Sequence, residues 1–319
     1  CNTSLNVLEV NSEQKNNVSW VCLEKNSTIT ELNIANTMFS PCNNNFKAIC
    51  GMTALQKLDC SDNNLDAASF SNNYAKHLKK CESLTELNIS YNPLGYVSYR
   101  AFKCGDKRNR VTGMMKNMII AISHSRLRKL KMVGTEIGGE RDGQYFKSLL
   151  TTNTTLQELD MSKQRRAFPD SCDLDADFIS HFAKGLQSNQ TLMTLNIGHN
   201  CIGTDGLIDL CVGIKQHNML TELNISNNQI YDEGFTRARE SLKDLLQNNS
   251  VLTNLDVSDN CVGRFPIFDN EHLLDFYNEN CPTLVYVNLL HNRLSTKQAA
   301  DIANNYFNSY LDNPKKSIC

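Results

Sequence analysis

Several absences narrow this chain first. No run of 18 apolar residues occurs in its 319 positions, so no helical membrane span is expected. Lys and Arg together number 32 against 34 Asp and Glu, a formal charge of −2, and the basic excess of a general nucleic-acid binder is missing. There is no HExxH, no Walker A loop, no GxSxG and no paired-carboxylate arrangement, which leaves catalysis without a recognisable seat. The glycine-rich stretch Gly138 to Gly143 has the wrong spacing for a phosphate loop. The seven histidines are dispersed; His199 and His291 share one repeat position but stand three units apart, so no metal site is expected. No cofactor is implied either. The chain starts on Cys1 without a methionine or a secretory apolar segment, the expectation for a fragment or a processed product.

What is present is repetition. Leu220, Leu223, Ile225, Asn228 and Ile230 form one phrase, and its neighbours read Leu192, Leu195, Ile197, Asn200, Ile202 and Leu252, Leu255, Val257, Asn260, Val262. About ten copies of the three apolar anchors follow one another from Leu5 to Leu289. A unit this short cannot bury its apolar face alone and must stack on its neighbours. The last two anchors alternate with polar residues, the period-2 signature of a short strand with one buried face.

Three residues after the third anchor, most copies place an asparagine: Asn63, Asn92, Asn200, Asn228, Asn260 and Asn292. An amide both donates and accepts, so stacked copies can satisfy the backbone groups left open where each strand turns. Copies with Thr37, Thr135 or Gln164 at that place should be locally looser. The second half of each unit has helical spacing: Asp175 to Gln187 places Phe178, Phe182 and Leu186 on one stripe, and 205–216 and 236–247 do likewise.

This pattern, Leu-x-x-Leu-x-Ile-x-x-Asn-x-Ile followed by a helix, resembles the leucine-rich repeats of the ribonuclease-inhibitor-like class. The resemblance implies an α/β fold, a right-handed leucine-rich-repeat solenoid or horseshoe with parallel strands on the concave face and helices on the convex face. It also implies a surface used mainly to grip proteins. One domain of about ten units over 1–319 is expected, with an atypical N-terminal cap at 1–28 and a C-terminal capping helix within 295–319.

Strand alternation sends the residues flanking the buried anchors to the concave face. Candidate partner-binding residues there are Glu31, Asp59, Glu86, Lys129, Lys131, Glu158, Asp160, Glu222, Asp256 and Tyr286, with Glu9 and Lys57 alongside. Acids dominate, and a partner protein with a basic patch is the expected occupant. Two insertions break the spacing and offer a basic rim: Arg100, Lys107 and Arg108 in one, Arg165, Arg166 and Phe168 in the other. Within the first, Met114, Met115, Met118, Ile119 and Ile122 have helical spacing and read as core.

The 13 cysteines are scattered without a CxxC pair, and the expectation is free thiols in a reducing, cytoplasmic compartment, including that of a host cell, with an extracellular setting as the alternative. Asn-x-Ser/Thr sequons such as Asn17, Asn26 and Asn153 point the other way. The expected role is a non-enzymatic interaction module, an effector or adaptor. A sensing or inhibitor domain of a larger receptor is the alternative, as is a GTPase activator working through Arg141 or Arg165.

Overall fold

In the computed structural model the described residues are 5–10, 20–39, 43–66, 75–78, 81–95, 107–164, 174–230, 235–260, 283–292, 300 and 317–318. Eleven short strands form a single sheet in strict sequence order. They are β1 Val7–Glu9, β2 Glu31–Asn33, β3 Lys57–Asp59, β4 Glu86–Asn88, β5 Lys129–Lys131, β6 Glu158–Asp160, β7 Thr194–Asn196, β8 Glu222–Asn224, β9 Asn254–Asp256, β10 Tyr286–Asn288 and β11 Ser317–Ile318. Every neighbouring pair is parallel, and the register places Leu87, Leu130, Leu159, Leu195 and Leu223 in one line. That line is the spine of an open leucine-rich-repeat solenoid.

Helices return the chain between strands: α1 Asn43–Cys50, α2 Ala75–Leu78, α3 Lys107–Ser123, α4 Gly139–Thr152, α5 Ala176–Leu186, α6 Gly203–Ile214 and α7 Phe235–Asn248. The anchors read from the sequence are buried between sheet and helices from Ile29 to Val287. Helix α5 shows why these segments coil. Asp175 caps it by accepting the Phe178 N–H at 2.9 Å, and Phe178, Ile179, Phe182 and Leu186 form one buried stripe. Phe178 and Phe182 pack with Phe146 of α4, ring centroids 5.6 to 6.4 Å apart. In the enlarged unit, Met115, Met118, Ile119 and Ile122 of α3 are core.

Two amide ladders hold the turns. Asn92 accepts from the N–H groups of Asn63 and Leu65 and donates to the carbonyls of Cys60 and Ile89, so one side chain serves two repeats. Gln164 is not the loose substitute expected. Its longer side chain is fully buried, accepts from Thr135 and Ile137 at 3.0 Å each, and donates to the Met132 carbonyl.

The second ladder precedes β6, β7 and β9: the Asn153, Asn189 and Asn249 side chains accept the N–H groups of Leu156, Leu192 and Leu252 at 2.7 to 2.8 Å. Asn26 does the same for Ile29. Sequons at Asn26, Asn153 and Asn189 are therefore turn caps. The Asn153 and Asn189 amide nitrogens, where a glycan would attach, are buried and committed to main-chain carbonyls.

The expectation of free thiols is corrected. Cys50 and Cys81 are joined in a disulfide, Cα atoms 5.0 Å apart, that staples neighbouring repeats on the helix side, and Cys201 is also disulfide-bonded. The scatter of cysteines along the sequence concealed this, because residues 31 apart become neighbours one unit on. At the C-terminal end, Ser317 and Ile318 add a parallel strand beside Tyr286 and Val287; the capping helix expected within 295–319 lies almost wholly outside the described residues. Of the expected N-terminal cap, the described part holds β1 and a single 3-10 turn, Trp20–Leu23, with Trp20 buried against Phe39.

Candidate functional site

Each of β1 to β10 is three residues long, and its central leucine or valine points into the core. The first and third residues therefore line the opposite, concave face as two parallel rows. All ten sequence-predicted strand residues stand in these rows, from Glu31 to Tyr286. Of the insertion candidates, Arg100, Arg165, Arg166 and Phe168 lie outside the described residues. Lys107 and Arg108 open α3, and their side chains are likewise outside them.

Across β2 to β6 the first row alternates in sign: Glu31, Lys57, Glu86, Lys129, Glu158. Lys57 reaches Glu31 at 3.0 Å and Lys129 reaches Glu158 at 2.7 Å. The hydrogen bond and charge of Glu31, and then the charge of Glu86, hold the Lys57 ammonium above its ordinary value. Lys129 is raised in the same way by Glu158, and again by Glu86. The expected acid ladder is thus interleaved with lysines here, since the repeat shape puts every first-row residue beside its counterpart one unit on. These rows wall a trough of about 330 Å³ running from Val7 to Glu158.

The second row is more tightly engaged. Asp59, Asp160 and Asp256 each accept from the N–H and hydroxyl of the serine two residues on, and from the amide of Asn88, Asn196 or Asn288 on the next strand. These carboxylates finish the strands as well as face solvent. Lys131 is exposed and carries no ion pair among the described residues. From β7 onward both rows hold no lysine: Thr194, Glu222, Asn254 and Tyr286, then Asn196, Asn224, Asp256 and Asn288. Counted over both rows, eight acids face three lysines.

A third row follows where each chain turns away, in left-handed backbone: Asn36, Asp62, Tyr91, Gly134, Lys163, His199, Asn227, Asp259 and His291. Asparagine, aspartate and glycine adopt this conformation readily. Histidine follows at lower frequency; Lys163, at φ 58°, and Tyr91, at φ 55°, are the departures, and Tyr91 is the bulkier. Its ring is 54% exposed and lies on the next repeat where a Cβ at Gly134 would sit only 3.0 Å from it. Aligning the copies by this column would have revealed an aromatic among turn residues. Among the described residues no cluster of metal-ligating side chains forms, and no helix is long and apolar enough to cross a membrane.

The fold and the repeat ladders define a leucine-rich-repeat protein, and a Leucine Rich repeat family profile matches residues 80–100, 188–211 and 216–235. The chain is, more narrowly, of the ribonuclease-inhibitor-like type. It is 30% identical over 138 residues to the ribonuclease inhibitor of Sus scrofa and 27% identical over 138 residues to that of Mus musculus. Each match covers 43% of this chain and 28% of the inhibitor, so the chain spans under a third of those relatives' length. The crystal structure of the leucine-rich repeat-containing protein LegL7 from Legionella pneumophila has a similar fold. Its TM-score is 0.55 at 14% identity, covering 94% of this chain and 86% of that one. Proteins built on this repeat generally mediate protein–protein interaction.

Proposed function

We propose that this chain is a non-enzymatic binding module that holds a partner protein in its concave face. The observation that carries the reading is the face itself: two rows of polar and charged side chains, solvent-facing, around a walled trough. The excess of five acids supplies a long-range field that attracts a basic protein and speeds its encounter. The apolar contribution sits at the C-terminal end, with half-buried Tyr286 opening β10 and Leu290, 51% exposed, following it.

Replacing Glu86, Glu158 and Glu222 together by lysine tests this. Partner capture from the native source should be lost while the thermal unfolding midpoint moves by no more than a few degrees. An unchanged set of captured partners would sink the concave reading.

An adaptor or effector inside a host cell is the narrower form of this reading. The Cys50–Cys81 staple favours a compartment in which disulfides persist, and so the extracellular alternative. A second form, supported by the likeness to two ribonuclease inhibitors, is an inhibitor domain that seats a ribonuclease in the trough. Titrating the chain into a ribonuclease assay separates it from the first.

A further inference from the structure

We infer that the middle of the concave face, on β4 and β5, selects an extended partner segment carrying one basic and one acidic side chain at alternate positions. This rests on the concave reading above and names what the face recognises. In the alternating first row, the two lysines hydrogen-bond the outer glutamates, Glu31 and Glu158. Glu86 stands between them; both lysines sense its charge, yet neither pairs with it. It is the one carboxylate of that run whose charge is not already answered by a lysine contact. A single cation placed on it gains a partner without breaking an existing pair. Lys57 and Lys129 on either side would repel a second cation.

In the second row the imbalance has the opposite sign. Asp160, beside Lys131, is occupied by Ser162 and Asn196, and Asp59 by Ser61 and Asn88. Lys131 is left without an ion pair among the described residues and is open to an anion. Because Glu86 is in backbone register with Lys129, Lys131 lies one strand over and two residues along, a diagonal of roughly 8 Å between Cα atoms. Alternate side chains of an extended segment are about 7 Å apart, so its basic and acidic residues reach both groups. Beyond β4, the strained and exposed Tyr91 supplies an aromatic anchor for the segment's next side chain.

A random linear peptide library displayed on phage, selected on the full chain after depletion on Glu86→Gln/Lys131→Gln, tests this. Enriched sequences should place Lys or Arg two positions from Asp or Glu. Synthetic copies should bind about tenfold or more weakly to Glu86→Gln, to Lys131→Gln and to Tyr91→Ala, with no change for Lys184→Gln, exposed on the helix side. Uniformly basic peptides that depend on Glu222, or no sequence surviving depletion, would overturn the inference and leave the concave reading standing. Peptides indifferent to every substitution on the face would overturn both. All the substituted side chains are solvent-facing, and matched unfolding curves confirm that each variant is folded.

Discussion

The side-chain oxygen of Asn92 accepts the backbone N–H of Asn63 at 3.0 Å, one repeat away, and the amide nitrogen of Asn92 donates back to the Cys60 carbonyl at 3.1 Å. One residue therefore closes two turns. Asn228 and Asn260 repeat the relationship at 2.8 Å.

Substituting Asn92 by alanine strands the Asn63 and Leu65 N–H groups in a fully buried site. Each unsatisfied group costs about 1–3 kcal/mol, so the variant should lose about 3–5 kcal/mol. By contrast Asn288→Ala, on the solvated face, should lose under about 1 kcal/mol. Urea unfolding of both variants checks the contrast. Equal losses would mean that the ladder contributes no more than a surface amide.

Gly213 of α6 sits against α5, where a Cβ would lie 2.7 Å from the Ala183 carbonyl oxygen. Alanine is the better helix former by about 1 kcal/mol, but backbone cannot yield as a flexible side chain can. The clash should win, with Gly213→Ala destabilising the chain by about 1–3 kcal/mol. A gain in the thermal midpoint would show that the two helices separate freely.

The disulfides predict a thiol count. Cys50–Cys81 and the bridge to Cys201 together consume four of the 13 cysteines. Denatured, unreduced protein from the native source should therefore show at most nine reactive thiols. Thirteen would restore the reducing compartment. Reducing the Cys50–Cys81 staple should lower stability by about 2–4 kcal/mol.

How far the sequence reached follows from what each residue answers to. Anchors such as Leu87 and Leu159 were legible because burial repeats with the unit, and period-2 alternation placed Glu86 and Glu158 on the opposite face without coordinates. Pairing across units was not legible: that Lys57 turns to Glu31 rather than Glu86 depends on side-chain geometry between strands. The same holds for the disulfide and for Gln164, whose extra methylene preserves the ladder. Tyr91 was not legible because a departure within a column is visible only once the column is known to be left-handed.

His217 argues the pH dependence. It occupies the capping position that Asn153, Asn189 and Asn249 hold elsewhere, and its Nδ1 accepts from the Met219 and Leu220 N–H groups at 3.2 and 3.1 Å. Two donors aimed at Nδ1 require a lone pair there, so the folded ring is neutral, with its proton on Nε2. That Nε2 is buried without a partner, and burial pushes the imidazole below its ordinary value. The unfolded chain therefore takes up a proton first. Stability is complete above a pH of about 6.5 and declines as the pH falls below it, by at most about 1.4 kcal/mol per pH unit. The decline stops once the pH passes the lowered folded-state value. His217→Asn restores the cap used by the other repeats and cannot titrate. Urea midpoints at neutral and mildly acidic pH should separate the two proteins, the native chain losing more on acidification than the variant. Parallel losses would show that His217 carries no part of the acid sensitivity.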